Sequence, residues 1–199
     1  AGIQFHRQTG TAPSFSDSYL PTPALNVVPG AVGQIAYGKF TSPDYRNADK
    51  YIPTTATGRS GHPMPQGSNE LIVQLHVPAG PKPAGGWPVA IFGHGFTDSM
   101  YGAPWTVASV FASKGIATLA INVPGHAGGS LGTLNVLSST GAPTVVVPAG
   151  GRGIDQDGNG AIDSTEGVGV VGPRSIISSR DGLRQTVIDL IDERTKWVA

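Results

Sequence analysis

The chain has 199 residues, 39% of them hydrophobic, with 13 basic and 13 acidic side chains and no cysteine. That length suits one domain with a real core. The balanced charge leaves no basic footprint for nucleic acid or an anionic membrane. The missing thiols exclude a disulfide scaffold, a thiolate zinc site, an iron–sulfur cluster and a Cys nucleophile. No apolar run approaches the ~18 residues that cross a bilayer, so no transmembrane segment is expected.

In chain order, residues 1–30 carry Pro13, Pro21, Pro23 and Pro29 with little periodicity and read as an extended surface arm. Residues 31–199 read as the domain proper. Residues 33–41 alternate loosely through Ile35, Tyr37 and Phe40 and predict a strand, and residues 42–67 predict a long proline-punctuated loop. Residues 70–77 (ELIVQLHV) predict a strand ending at Pro78, with His76 as a sheet residue. Residues 87–92 (WPVAIF) form a short apolar run expected of a strand buried on both faces, broken by Gly93-His94-Gly95-Phe96-Thr97. Residues 103–114 place Trp105, Ala108, Val110, Phe111 and Ala112 on helical spacing, with Gly115 just past the end. Residues 116–123 (IATLAINV) predict a second buried strand, completing a βαβ unit and hence a partly parallel sheet. Beyond a loop-rich stretch with one apolar run at 144–148, residues 180–197 predict a helix whose apolar face is Leu183, Val187, Leu190 and Ile191.

Residues 155–166 (DQDGNGAIDSTE) fit the twelve-residue calcium loop at each diagnostic position. Calcium takes six to eight oxygens at about 2.3–2.6 Å. Asp155, Asp157 and Asn159 supply side-chain oxygens at loop positions 1, 3 and 5, and Gly160 permits the turn at position 6. Ala161 offers its carbonyl, Asp163 binds directly or through water, and Glu166 closes the site with both carboxylate oxygens. Four of the 13 acidic residues fall within these positions and would repel one another without a cation. The upstream sequence VVVPAGGRGI is not helical, so a lone structural Ca2+ site is expected, pinning an insertion at about 131–175, rather than a paired sensor.

The segments PVAIFGHGFTDS (88–99) and GIATLAINVPGHAGGS (115–130), with the helix between them, resemble the α/β-hydrolase superfamily, in particular secreted bacterial lipases and esterases. The likeness runs over roughly residues 31–130 plus the last helix. It implies the N-terminal half of a mostly parallel α/β sheet with the calcium loop inserted. It also implies that the backbone N–H of Phe96 is an oxyanion-hole donor, that Gly93 and Gly95 permit a tight backbone path, and that His94 supports the loop. His126 is expected to hold its loop. The implied activity is carboxylic-ester hydrolysis through an acyl-serine, on a small-molecule or lipid ester. Low charge, abundant Gly, Pro, Ser and Thr and the absence of Cys suit secretion from a bacterium, and Ala1 stands where a Met would open a chain, as it does when a leader is removed or an expressed chain begins there.

The nucleophile is the missing part. The literal match to G-x-S-x-G, Gly128-Gly129-Ser130-Leu131-Gly132, lacks a strand directly before it and an amphipathic helix directly after it. Residues 180–194 (RDGLRQTVIDLIDER) resemble the family helix ahead of the nucleophile strand, and the chain stops at Ala199, where that strand is expected. Ser, Asp and His are therefore expected on a C-terminal chain of the same hydrolase, bound as partner. Two alternatives stand beside this: a non-catalytic, calcium-stabilised structural or adhesion module, and a complete small hydrolase using Ser130.

Overall fold

The structure, a computed structural model, describes residues 2–54, 61–168 and 175–197. Its elements are β1 (Gly2–Gly10), β2 (Ser14–Tyr19), a 3-10 turn (Thr22–Asn26), β3 (Val32–Asp44), β4 (Gly67–Pro78), β5 (Val89–Phe92), α1 (Ala103–Ala112), β6 (Ala117–Ile121), β7 (Gly129–Leu137), β8 (Val145–Pro148) and α2 (Ser175–Trp197). They form two four-stranded sheets, in the orders β2-β1-β7-β8 and β3-β4-β6-β5.

Among the described residues the sheets are antiparallel at every pairing but one, β5 with β6. The expected mostly parallel α/β-hydrolase sheet is therefore corrected: the architecture is antiparallel and mixed β with two α-helices. A parallel pair needs a crossover of a dozen or more residues, usually a helix. Only α1 provides one between two strands here, so the βαβ unit accounts for one parallel pairing and no more. The βαβ unit predicted a partly parallel sheet, which the β5–β6 pairing fits; the mostly parallel sheet was implied by the resemblance alone.

The N-terminal stretch differs as well. Gly2–Gly10, expected within a surface arm, is an inner strand of the first sheet, and its Ile3 and Phe5 are buried. Strand alternation explains the pattern: Ile3 and Phe5 face inward while their neighbours do not. They join Met100, Tyr101, Trp105 and Leu134 in one core between the sheets and α1. The opposite face of the second sheet buries Phe40, Leu71, Val73, Leu119 and Ile121, with Leu190 of α2 packed against them.

Of the expected apolar face of α2, Leu190 packs inward and the other three members turn outward. Leu183, Val187 and Ile191 are each more than half exposed, whereas Ser178, Asp181, Gln185 and Asp189 are completely buried. The polar side wins the interior because its groups find partners there. Asp189 accepts hydrogen bonds from Ser42 Oγ (2.7 Å), Gln185 Nε2 (2.9 Å) and Arg152 Nη1 (2.8 Å). Gln185 also accepts from the Tyr45 N–H and donates to the Pro43 carbonyl, and Asp181 accepts from the Ile52 N–H. A buried carboxylate held this way costs little, while removing it strands a buried cation. Asp189→Ala should therefore destabilise the chain by about 3–5 kcal/mol in urea denaturation, and Leu183→Ala by less than about 0.5 kcal/mol.

Candidate functional site

Two loops carry the chemistry expected of the sequence. The first, residues 93–98, leaves the C-terminal end of β5 and returns as the approach to α1. It is held by two buried histidines, His94 and His126. His94 Nδ1–H donates to the Gly95 carbonyl (2.9 Å), and its Nε2 accepts the Val123 N–H (3.1 Å). His126 repeats the pattern: Nδ1–H donates to the Pro124 carbonyl (2.8 Å), and Nε2 accepts the Thr97 N–H (3.0 Å). These partners assign both rings the neutral Nδ1–H tautomer, with both nitrogens occupied by backbone. Neither ring is available as a base in this arrangement. The rings lie 5.1 Å apart, and the Phe96 ring meets His126 edge-on at 5.3 Å.

Burial lowers the pKa of both histidines, and the Arg152 charge lowers them further; Asp98 opposes both effects. Asp98 is also structural: its Oδ2 accepts the Ala103 N–H at the start of α1. Its Oδ1 lies only 1.8 Å from where a Cβ at Gly102 would sit, so a side chain there would displace the Asp98 carboxylate.

Phe96 is half exposed, and among the described residues no acceptor takes its backbone N–H, while the following Thr97 and Asp98 N–H groups are both bound. Neither Gly93 nor Gly95 has a left-handed φ, and a Cβ on Gly95 meets nothing within 4 Å. The left-handed step falls instead on Thr97, at φ 71°, held there by His126 and by the Asp98 N–H bond to the Gly95 carbonyl. A small cavity of about 110 Å³ lined by Thr97, Asp98, His126 and Arg7 adjoins the loop.

The second loop, residues 155–166, is wrapped around its own carboxylates. Asp155 accepts the Gly158 and Gly160 N–H groups, and Asp157 accepts that of Asn159. Glu166 is 2% exposed and accepts the N–H groups of Gln156, Asp157 and Asp163. Carboxylate oxygens of Asp155, Asp157 and Glu166 lie within 4.8 Å of one another. The Asp163 carboxylate is outside that group, the place of a ligand acting through water. Asn159 Oδ1 accepts the Ala161 N–H. The Ile162 N–H binds the Thr9 carbonyl and the Thr11 N–H binds the Gly160 carbonyl, so the loop adds a bridge to β1 and leaves the Ala161 carbonyl outside that pairing. The residues present therefore fit a hard divalent cation: oxygen donors, convergent, backed by fixed backbone dipoles. No helix precedes the loop; residues 149–154 run without regular structure.

Ser130 opens β7, with its side chain exposed, and its Gly-x-Ser-x-Gly match lies along a strand rather than at a strand-to-helix turn. Sequence reasoning missed Asn122 and Arg152. Asn122 is 1% exposed; it accepts the Met100 N–H and donates to the carbonyls of Ala149 and Gly150. Its backbone carbonyl accepts Arg152 Nη1. No local pattern marks either residue, because every partner is distant in sequence. No protein-family profile, curated protein or solved structure matches this chain.

The histidine geometry sets a pH dependence. A base whose folded pKa lies below its unfolded value of about 6.5 binds its proton more readily in the unfolded chain. Its contribution to stability is complete above pH 6.5 and is lost as pH falls through the folded value. His76, also buried and lowered by burial to about 4, acts in the same direction. The urea midpoint should be flat from pH 7 to 8 and fall below about 6.5; His126→Gln should flatten part of that fall.

Proposed function

We propose that this chain contributes an oxyanion-stabilising loop and a structural calcium site to a secreted serine ester hydrolase. The observation that carries the reading is the half-exposed Phe96, whose backbone N–H has no acceptor among the described residues, just ahead of Thr97 and Asp98, whose N–H groups are both bound. A preorganised dipole of this kind is most useful where negative charge appears only in the transition state. As a seryl oxygen adds to an ester carbonyl, the carbonyl electron pair moves onto oxygen and the Phe96 N–H donates to that oxygen. Collapse expels the alcohol, and water repeats the sequence on the acyl-serine. His94 and His126 are positioning residues, holding the path of residues 94–98. The nucleophile, its acid and its base belong to a further polypeptide of the same hydrolase. Two features support such a partner: among the described residues β5 has a neighbour on one edge only, and α2 turns Leu183, Val187 and Ile191 outward.

A second reading, a non-catalytic calcium-stabilised module, is favoured by the predominance of antiparallel pairing. The two separate on activity. The complete protein should hydrolyse p-nitrophenyl butyrate, and Phe96→Pro, which deletes the N–H, should lower kcat about 10²–10³-fold while Phe96→Ala retains most of it. Absence of hydrolysis by the complete protein in calcium would leave the structural module, and fluorophosphonate labelling of Ser130 would transfer the nucleophile to this chain.

Calcium at Asp155, Asp157, Asn159, Ala161, Asp163 and Glu166 would stabilise the loop by neutralising its clustered carboxylates. At about 10 mM and a Kd of ~10⁻⁴ M it should stabilise the chain by roughly 2.7 kcal/mol, a rise in Tm of several degrees over EDTA. Glu166→Gln should abolish the rise; a rise that persists in the variant would place calcium elsewhere.

A further inference from the structure

Two cavities of about 260 and 230 Å³ share Glu70, Leu71, Ser130, Gly151 and Arg152 in their walls and so form one depression beside the end of β6. Their charges are unequally satisfied. Asp44 is committed to Arg46, Glu70 to Lys39 (2.9 Å) and Asp189 to Arg152. Lys50 also lines the depression, and among the described residues no carboxylate pairs with it. The Arg152 side chain is 11% exposed, and its Nη2 is buried without a hydrogen-bond partner. A buried unpaired donor is costly and rare. Leu71, Ile72 and Pro148 supply an apolar wall.

We infer that this depression binds a short-chain carboxylate. One uncompensated cation matches a monoanion, and a dianion such as phosphate would bring a second charge against Glu70 and Asp44. Lys50 supplies the net charge, Arg152 stands in the wall that the two cavities share, Ser130 supplies a hydroxyl at the rim, and the apolar wall accepts a short alkyl chain. Within the proposed hydrolase the site would receive a free carboxylate carried by the ester or released from it, an extension that rests on the ester-hydrolase reading; the binding itself does not.

The test is titration of the isotopically labelled chain with butyrate, butyramide and inorganic phosphate, followed through the Gly151 amide and the Arg152 Nε–H. Butyrate should bind with a Kd on the order of 1 mM, more tightly than the other two. Lys50→Asn removes the charge while suiting the left-handed backbone at this position (φ 64°) and should weaken butyrate about tenfold. Equal binding of butyramide, tighter binding of phosphate, or unchanged affinity in Lys50→Asn would overturn the inference. Because no turnover is read, these outcomes are independent of whether the complete protein cleaves esters.

Discussion

The buried Asn122–Arg152–Asp189 relay holds the functional end of the molecule together. Asn122 joins the approach to α1, through Met100, to the 149–150 turn; its backbone carbonyl joins both to Arg152, and Arg152 joins them to α2 through Asp189. Burial lowers the Arg152 pKa, and the Asp189 charge offsets that loss. Such a relay is tolerable only when its members are satisfied together, since in a low dielectric each orphaned group is expensive. It also orients the helix: α2 turns its polar side inward because that side completes the relay.

Around this frame the two candidate sites are organised differently. The 93–98 loop is fixed by its own His94 and Asp98 side chains, which reach backbone beyond it, and by His126 from the neighbouring loop. The Phe96 N–H is left without an internal acceptor among the described residues. The 155–166 loop is fixed from inside, by its own carboxylates accepting its own N–H groups. The same oxygens that would face a cation already shape the loop, so a cation would reinforce a path that exists rather than create one.

Close backbone contact connects the two halves of the molecule. Gly10 on β1 lies so near the 155–166 loop that a Cβ there would sit 2.9 Å from the Gly160 carbonyl, and the bridge between Gly10 and Ala161 ties the first sheet to that loop. The first sheet is thus fastened to the rest both through its apolar face, where Phe5 meets Tyr101 at 5.2 Å, and through this polar seam.

What was legible in the sequence was local. The strands at β4, β5 and β6, the helix α1 and the twelve-residue acidic loop follow from periodicity, glycine placement and ligand spacing, all of which act over a few residues. Sheet direction was not legible, because an apolar run suits a parallel or an antiparallel neighbour equally and the choice depends on which crossovers the chain can make. The inward strand at Gly2–Gly10 was hidden by proline-rich flanks, since its partner β7 lies more than a hundred residues away. The outward turn of Leu183, Val187 and Ile191 was hidden too: helical spacing identifies a face, but partners for Asp181, Gln185 and Asp189 come from β3, its following loop and Arg152. The sequence by itself determined the strands β3 to β6, the two helices and the acidic loop at 155–166. Tertiary structure decided direction, facing and the free donor at Phe96, because those depend on hydrogen-bond partners that only folding brings within reach.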